Sequence, residues 1–253
     1  MSIQKKHRLN NMNINVISLF PEIIKASLKG LVGKAFDKKI VELELLDLKE
    51  FSHNEYGSVD DAPYGGGEGM IMAIEPLESC LNTIKETGRV IYLSPQGQVF
   101  NQTKAIELSK LENITFVCGR YEGIDQRFID KYVDEEISIG DYILSGGEIA
   151  ASVVIDAMMR NKNSVIGNSE SVKNDSLSKG RLKGHVYTRP NAYKNQKVPK
   201  ILLSGDHKMI EEWKIGNSLW VTREKRPDLF KQLQLSEKEM ILLRHYEDSI
   251  KEK

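Results

Sequence analysis

The sequence predicts an α/β protein built on a parallel sheet and followed by a small, mainly helical domain. Three observations carry this expectation. Apolar, strand-like runs alternate with amphipathic helical segments as far as residue 160, the pattern of βαβ units. Glycines cluster where those strands should end. Charge divides along the chain: 18 basic and 24 acidic side chains up to residue 166, then 18 basic against 12 acidic, within a total of zero. Such an asymmetry points the second part toward a polyanion.

Residues 1–12 are polar, with Lys5, Lys6, His7 and Arg8, and are read as an N-terminal extension. The knot of apolar residues at 13–20 predicts a first strand, and Pro21 opens a helix over 21–36, because proline suits a first helical turn. The same order repeats as strand 41–48, helix 75–87, strand 89–93, helix 101–111, strand 114–118 and helix 126–133. A further apolar helix over 148–160 closes the first domain, 13–160, with a face able to pack on the sheet or on a partner subunit. Residues 161–180, rich in Asn, Ser, Lys and Gly, bury too little apolar surface to fold alone and read as a flexible linker. Domain 181–253 follows, with helices at 204–214, 228–234 and 236–251, the last opened by a Ser236/Glu239 capping box.

Cys80 and Cys118 show no metal-ligand spacing and suit reduced, buried thiols. No apolar stretch is long enough for a signal peptide or a membrane span, so the expected place is the cytoplasm, with no membrane partner. His53, His185 and His207 have no ligand spacing, so no zinc site is expected.

The glycines at 65–67 and 69, at 97, at 119 and 123, and at 140, 146 and 147 each permit a tight turn. Several such loops after successive strands argue for one shared pocket, since ligands of parallel sheets bind outside the carboxyl ends of the strands. Neither a GxGxxG nor a Walker A pattern occurs, which excludes a dinucleotide or triphosphate cradle of the usual kind.

Four segments, VDDAPYGGGEGM (59–70), YLSPQG (92–97), CGRYEGIDQRF (118–128) and SIGDYILSGGE (138–148), occur in one order. DSLSKG (175–180), YTRP (187–190), VPKILLSGDH (198–207) and RPDL (226–229) follow them. Together they resemble the bacterial tRNA (guanine-N1)-methyltransferase family, from about residue 13 to the C-terminal helices. The resemblance implies a SPOUT-class fold: a parallel sheet with a C-terminal trefoil knot, in a homodimer with its active site at the subunit interface. It implies S-adenosylmethionine as methyl donor, held by Tyr92, Leu93, Pro95, Gly119, Glu122, Ile139, Gly140, Asp141, Tyr142, Ile143, Leu144, Gly146 and Gly147. Glycine-rich loops agree with this, because they bring backbone N–H and C=O groups close to a nucleobase edge. Glu122 or Asp141 can offset the sulfonium charge.

Guanine N1 carries a proton at neutral pH, so its methylation needs a base for that proton and a cation for charge growing on O6. By resemblance Asp175 is the general base and Arg160 the stabilising arginine. On composition alone Asp175 is a solvated linker acid and Arg160 a cation at a helix C-terminus. Eight basic residues between 173 and 200 stand against one acid, interleaved with Tyr187 and Tyr193. Lys173, Lys179, Arg181, Lys183 and Arg189 are the expected RNA contacts, and tRNA is the implied partner. The family also allows a role for magnesium, with Asp60 and Asp61 as candidate ligands or, equally, as turn formers. The expected activity is N1 methylation of the guanosine immediately 3′ of the anticodon, tRNA position 37. A ribose 2′-O methyltransferase on the same fold and a noncatalytic RNA-binding module are the competing readings.

Overall fold

The computed structural model describes residues 12–52, 58–162, 165, 175–177 and 179–251. Lys173 and His53 lie outside them, as does nearly all of the N-terminal extension. The chain divides into two compact units, 1–167 and 168–253.

The first unit is a five-stranded, all-parallel sheet. Its strands are β1 (Met12–Ser18), β2 (Val41–Asp47), β5 (Arg89–Val99), β6 (Asn113–Cys118) and β7 (Glu135–Ser138), in the order β2-β1-β6-β5-β7. A two-stranded antiparallel hairpin, β3 (Asp60–Asp61) and β4 (Ile71–Met72), stands apart from it. Parallel strands need helical crossovers, which bury both sheet faces. One face carries Ile14, Val16, Ile91, Leu93, Phe116 and Ile137 against helices α1 (Pro21–Ser27), α2 (Gly30–Asp37), α4 (Gln102–Leu108) and α6 (Gly147–Met159). The other carries Ile17, Val90, Tyr92 and Val117 against α3 (Ile74–Thr83) and α5 (Gln126–Tyr132).

The expected strands and crossover helices are present; the β3–β4 hairpin was not expected, and three further differences mark this unit. The single helix at 21–36 is two, because Lys29 is extended and Gly30 has φ of 64°. Strand β5 does not stop at Leu93: Ile137 pairs with both Leu93 and Gln98, so Ser94–Gly97 bulges out before the strand resumes. Strand β7 was not expected at all: the sequence assigns no element between the helix ending at 133 and the helix opening at 148. Lys104 and Arg89 meet the Glu135 carboxylate at 2.8 and 3.7 Å, which lets an acidic strand form the sheet edge.

In the second unit, α7 (His207–Lys225) crosses α9 (Glu237–Lys251), and the short α8 (Pro227–Phe230) joins them. Leu219, Val221, Leu242, Leu243 and Tyr246 are buried there, and Trp213 and Trp220 lie against Tyr246 with ring centroids 5.6 and 5.8 Å away. Helix α7 runs eleven residues past its expected end. Gly216 lies within it at the crossing point, where a Cβ would stand 2.5 Å from the Leu242 carbonyl oxygen. Ser236 and Glu239 form the expected capping box.

Candidate active site

A crevice of about 920 Å³ opens outside the carboxyl ends of β5, β6 and β7. Its size suits a cofactor. The chain reaches it in three passes: the β5 bulge, the loop 119–127 after β6, and the loop 138–147 between β7 and α6. Of the residues expected around a methyl donor, Tyr92, Leu93, Pro95, Gly119, Glu122, Ile139, Gly140, Tyr142, Ile143, Leu144, Gly146 and Gly147 line it. Asp141 does not. The turn closed by Tyr142 N–H to the Gly140 carbonyl (2.9 Å), with Gly140 at φ 147°, leaves Asp141 exposed outside the lining.

Backbone proximity builds the crevice. The Gly147 N–H donates to the Gly119 carbonyl at 2.9 Å, and Arg120 bridges Gly146. At Gly97 a Cβ would fall 2.3 Å from the Glu136 carbonyl carbon and 2.4 Å from the Ile137 nitrogen, so only glycine lets β5 and β7 touch there. Gly97→Ala is expected to destabilise the unit by about 1–3 kcal/mol and to weaken ligand binding, because Glu136 and Ile137 line the crevice. Thermal unfolding and calorimetric titration with S-adenosylmethionine check this; a variant melting with the wild type contradicts it.

Four lining residues that sequence reasoning passed over set the electrostatics: Arg120, Asp125, Arg127 and Glu136. Arg120 donates through Nε and Nη2 to Glu148, whose side chain is 1% exposed, and its guanidinium stacks over the Phe20 ring. The Ser18 hydroxyl donates to the same carboxylate at 2.9 Å. Arg127 is paired with Asp125, whose carboxyl is held below its usual range by that guanidinium. Both arginines are thus neutralised. Glu122 and Glu136 form no ion pair among the described residues, and Glu136 Oε2 is buried without a hydrogen-bond partner there. Tyr92, the register partner of Glu136, has its phenol pushed up to about 12, first by burial and then by that carboxylate, and so stays neutral. The CGRYEGIDQRF motif was the available signal for Arg120, Asp125 and Arg127; Glu136 had none, because its strand was not recognised.

Arg160 caps the far end of α6, exposed, with its N–H on the Asp156 carbonyl, and does not line the crevice. Asp175 belongs to the second unit and is half-buried. Lys179, Lys183 and Arg189 are exposed, whereas Arg181 is ion-paired with Glu239 at 2.7 Å. Lys183 N–H donates to the Ser176 hydroxyl, and Leu182 N–H to Thr222, so the segment after Asp175 is tied to α7. Among the described residues there is no group of three or more His, Cys, Asp and Glu able to hold a metal, and no helix long and apolar enough to cross a membrane.

Fold and site together define a class: a parallel α/β protein whose acidic, nucleoside-sized crevice lies beyond three strand ends and suits a cationic ligand. The particular family follows from comparison. The model of the family described as tRNA (Guanine-1)-methyltransferase TrmD matches residues 12–232, and the chain belongs to that family. A tRNA (guanine-N(1)-)-methyltransferase of Clostridium perfringens (strain SM101 / Type A) is 43% identical over 92% of this chain and 99% of its own. Proteins of the same name from Clostridium novyi (strain NT) and Clostridium botulinum (strain Kyoto / Type A2) are 43% and 41% identical, each over 93% of this chain and 98% of the relative.

Proposed function

We propose that this protein transfers a methyl group from S-adenosylmethionine to N1 of the guanosine immediately 3′ of the anticodon in tRNA. The observation that carries the reading is the crevice: twelve of the expected donor-binding residues line it, and Glu122 and Glu136 line it without an ion pair among the described residues. S-adenosylmethionine supplies a methyl group activated on a positively charged sulfur. The two carboxylates offset that charge, and the glycine-rich passes offer backbone groups to the adenine edge. Asp175 takes the N1 proton and Arg160 stabilises the charge that develops on O6.

A homodimer completes this reading. Helix α6 begins in the crevice and is 13 residues long, so its two ends are about 20 Å apart at 1.5 Å per residue. Arg160 therefore serves the crevice of the partner subunit. Ile149 and Val153, 50% and 45% exposed at a spacing of four on α6, supply an apolar face for that contact. The trefoil knot is supported by the return of the chain from edge strand β7 past β5 to the end of β6, where Gly147 is bonded to Gly119. Lys179, Lys183 and Arg189, with Lys173, bind the tRNA backbone, and Arg181 does so only by leaving Glu239. A cytoplasmic protein suits two buried, unoxidised thiols.

The test is incubation of unmodified tRNA transcripts, with or without guanosine at that position, with labelled methyl donor, then nuclease digestion and mass spectrometry. N1-methylguanosine at that position is expected. Label on a ribose 2′-oxygen, or no heat on titration with S-adenosylmethionine, overturns the assignment. Repeating the assay with a chelator decides whether magnesium takes part.

A further inference from the structure

The connection between β3 and β4, residues 62–70, forms a tongue at the rim of the crevice. Its root is fixed. Glu122 N–H donates to the Met70 carbonyl at 3.0 Å, Met72 N–H to the Gly123 carbonyl at 3.0 Å, and Asp125 N–H to the Met72 carbonyl at 3.1 Å. Its tip is free: Gly65, Gly66 and Gly67 have φ of 89°, 77° and 129°, and a Cβ on any of them would meet nothing within 4 Å. Tyr64 is 101% exposed yet lines the crevice, as do Pro63 and Arg127. Arg127 is 68% exposed, held in a bidentate pair by Asp125, and its pKa is raised chiefly by Asp125 and further by nearby Tyr64.

A bare aromatic ring on a hinged, glycine-rich arm gains nothing for the fold, because it buries no surface. Beside an oriented guanidinium it matches the chemistry of a single-stranded nucleotide: a π face for the base and a charge for the phosphate. We propose that residues 62–70 are a base-docking tongue, in which Tyr64 stacks on the unpaired purine presented to the crevice and Arg127, exchanging its Asp125 partner, meets the adjoining phosphate. The identity of that purine rests on the tRNA methylation reading; the stacking does not. Tyr64 is a binding residue, with no part in proton or methyl transfer.

The experiment uses the full chain and a tRNA transcript carrying fluorescent 2-aminopurine in place of the target guanosine. Wild-type protein is expected to quench the fluorophore. Tyr64→Phe keeps the quench and the affinity, whereas Tyr64→Ala loses the quench and binds about ten-fold more weakly, as loss of one stacked base implies. Arg127→Gln should lower the slope of log affinity against log salt by about one phosphate contact. Calorimetric titration of all three with S-adenosylmethionine measures any separate effect on the methyl donor, since Tyr64 and Arg127 also line the crevice. A Tyr64→Ala protein that binds within two-fold of wild type with the quench intact overturns the tongue, as does a Phe variant as impaired as the Ala variant. Quenching by a wild-type protein that methylates no tRNA keeps the tongue and removes the methylation reading; methylation without any Tyr64 effect does the reverse.

Discussion

Asp175→Asn is expected to bind tRNA and S-adenosylmethionine within two-fold of the wild type and to lose roughly 10²–10⁴ in single-turnover rate, the usual weight of a positioned general base. Asparagine keeps the shape of the side chain and removes its capacity to take a proton. N1 of guanine is protonated at neutral pH, so without a base the nucleophilic lone pair is not available when the methyl group arrives. Rapid-quench assays with saturating substrate separate this from a binding defect. The half-buried position of Asp175, just ahead of a turn tied to α7, makes a folding control necessary. Equal melting temperatures for the two proteins provide it. A rate within three-fold of wild type removes Asp175 from the reaction.

Arg120→Leu carries the largest expected loss of stability. It strips the guanidinium from Glu148, a carboxylate 1% exposed at the start of α6, and leaves the Ser18 hydroxyl as its remaining side-chain partner. Removing one member of a buried pair costs about 3–5 kcal/mol. The lower end applies, because Arg120 keeps some solvent contact and the N-terminus of a helix favours a negative charge. The melting temperature should fall by about 10 °C. Adding Glu148→Leu should restore most of that loss, since an apolar pair replaces a charged one without leaving an orphan. Differential scanning calorimetry on the two variants decides the matter; a double variant less stable than the single would show that the charge pair is not the cause.

The sheet was legible because central parallel strands are mostly apolar on both faces, as β1 and β6 are, while edge strand β2 alternates, with Leu43 and Leu45 packed on the core and Glu42 and Glu44 exposed. Strand β7 was not, since four residues beginning with two glutamates carry no periodic signal and their charge is compensated only in three dimensions by Lys104 and Arg89. Gly216, two residues past the expected end of its helix, carries no local sign of its role, which is to admit the neighbouring helix. In the crevice, glycine-rich motifs named most of the lining. Asp141, which came from the resemblance, stands outside the lining, since the turn at Gly140 exposes it. Glu136 was invisible, its significance arising from the register that sets it beside Tyr92. Arg160 and Asp175 came from resemblance alone, and no local pattern separates them from a capping cation and a linker acid.

Helix α6 also acts as a ruler, with the crevice at its first mark and a guanidinium at its last. Each residue inserted between them would advance Arg160 by 1.5 Å and swing it about 100° around the axis. In the proposed dimer a single insertion thus aims the side chain away from the neighbouring cleft, while a whole extra turn restores its azimuth and overshoots by about 5.4 Å. In that dimer, a change in the number of residues between the glycines that open this helix and the arginine that closes it is expected to cost more than a conservative substitution between them.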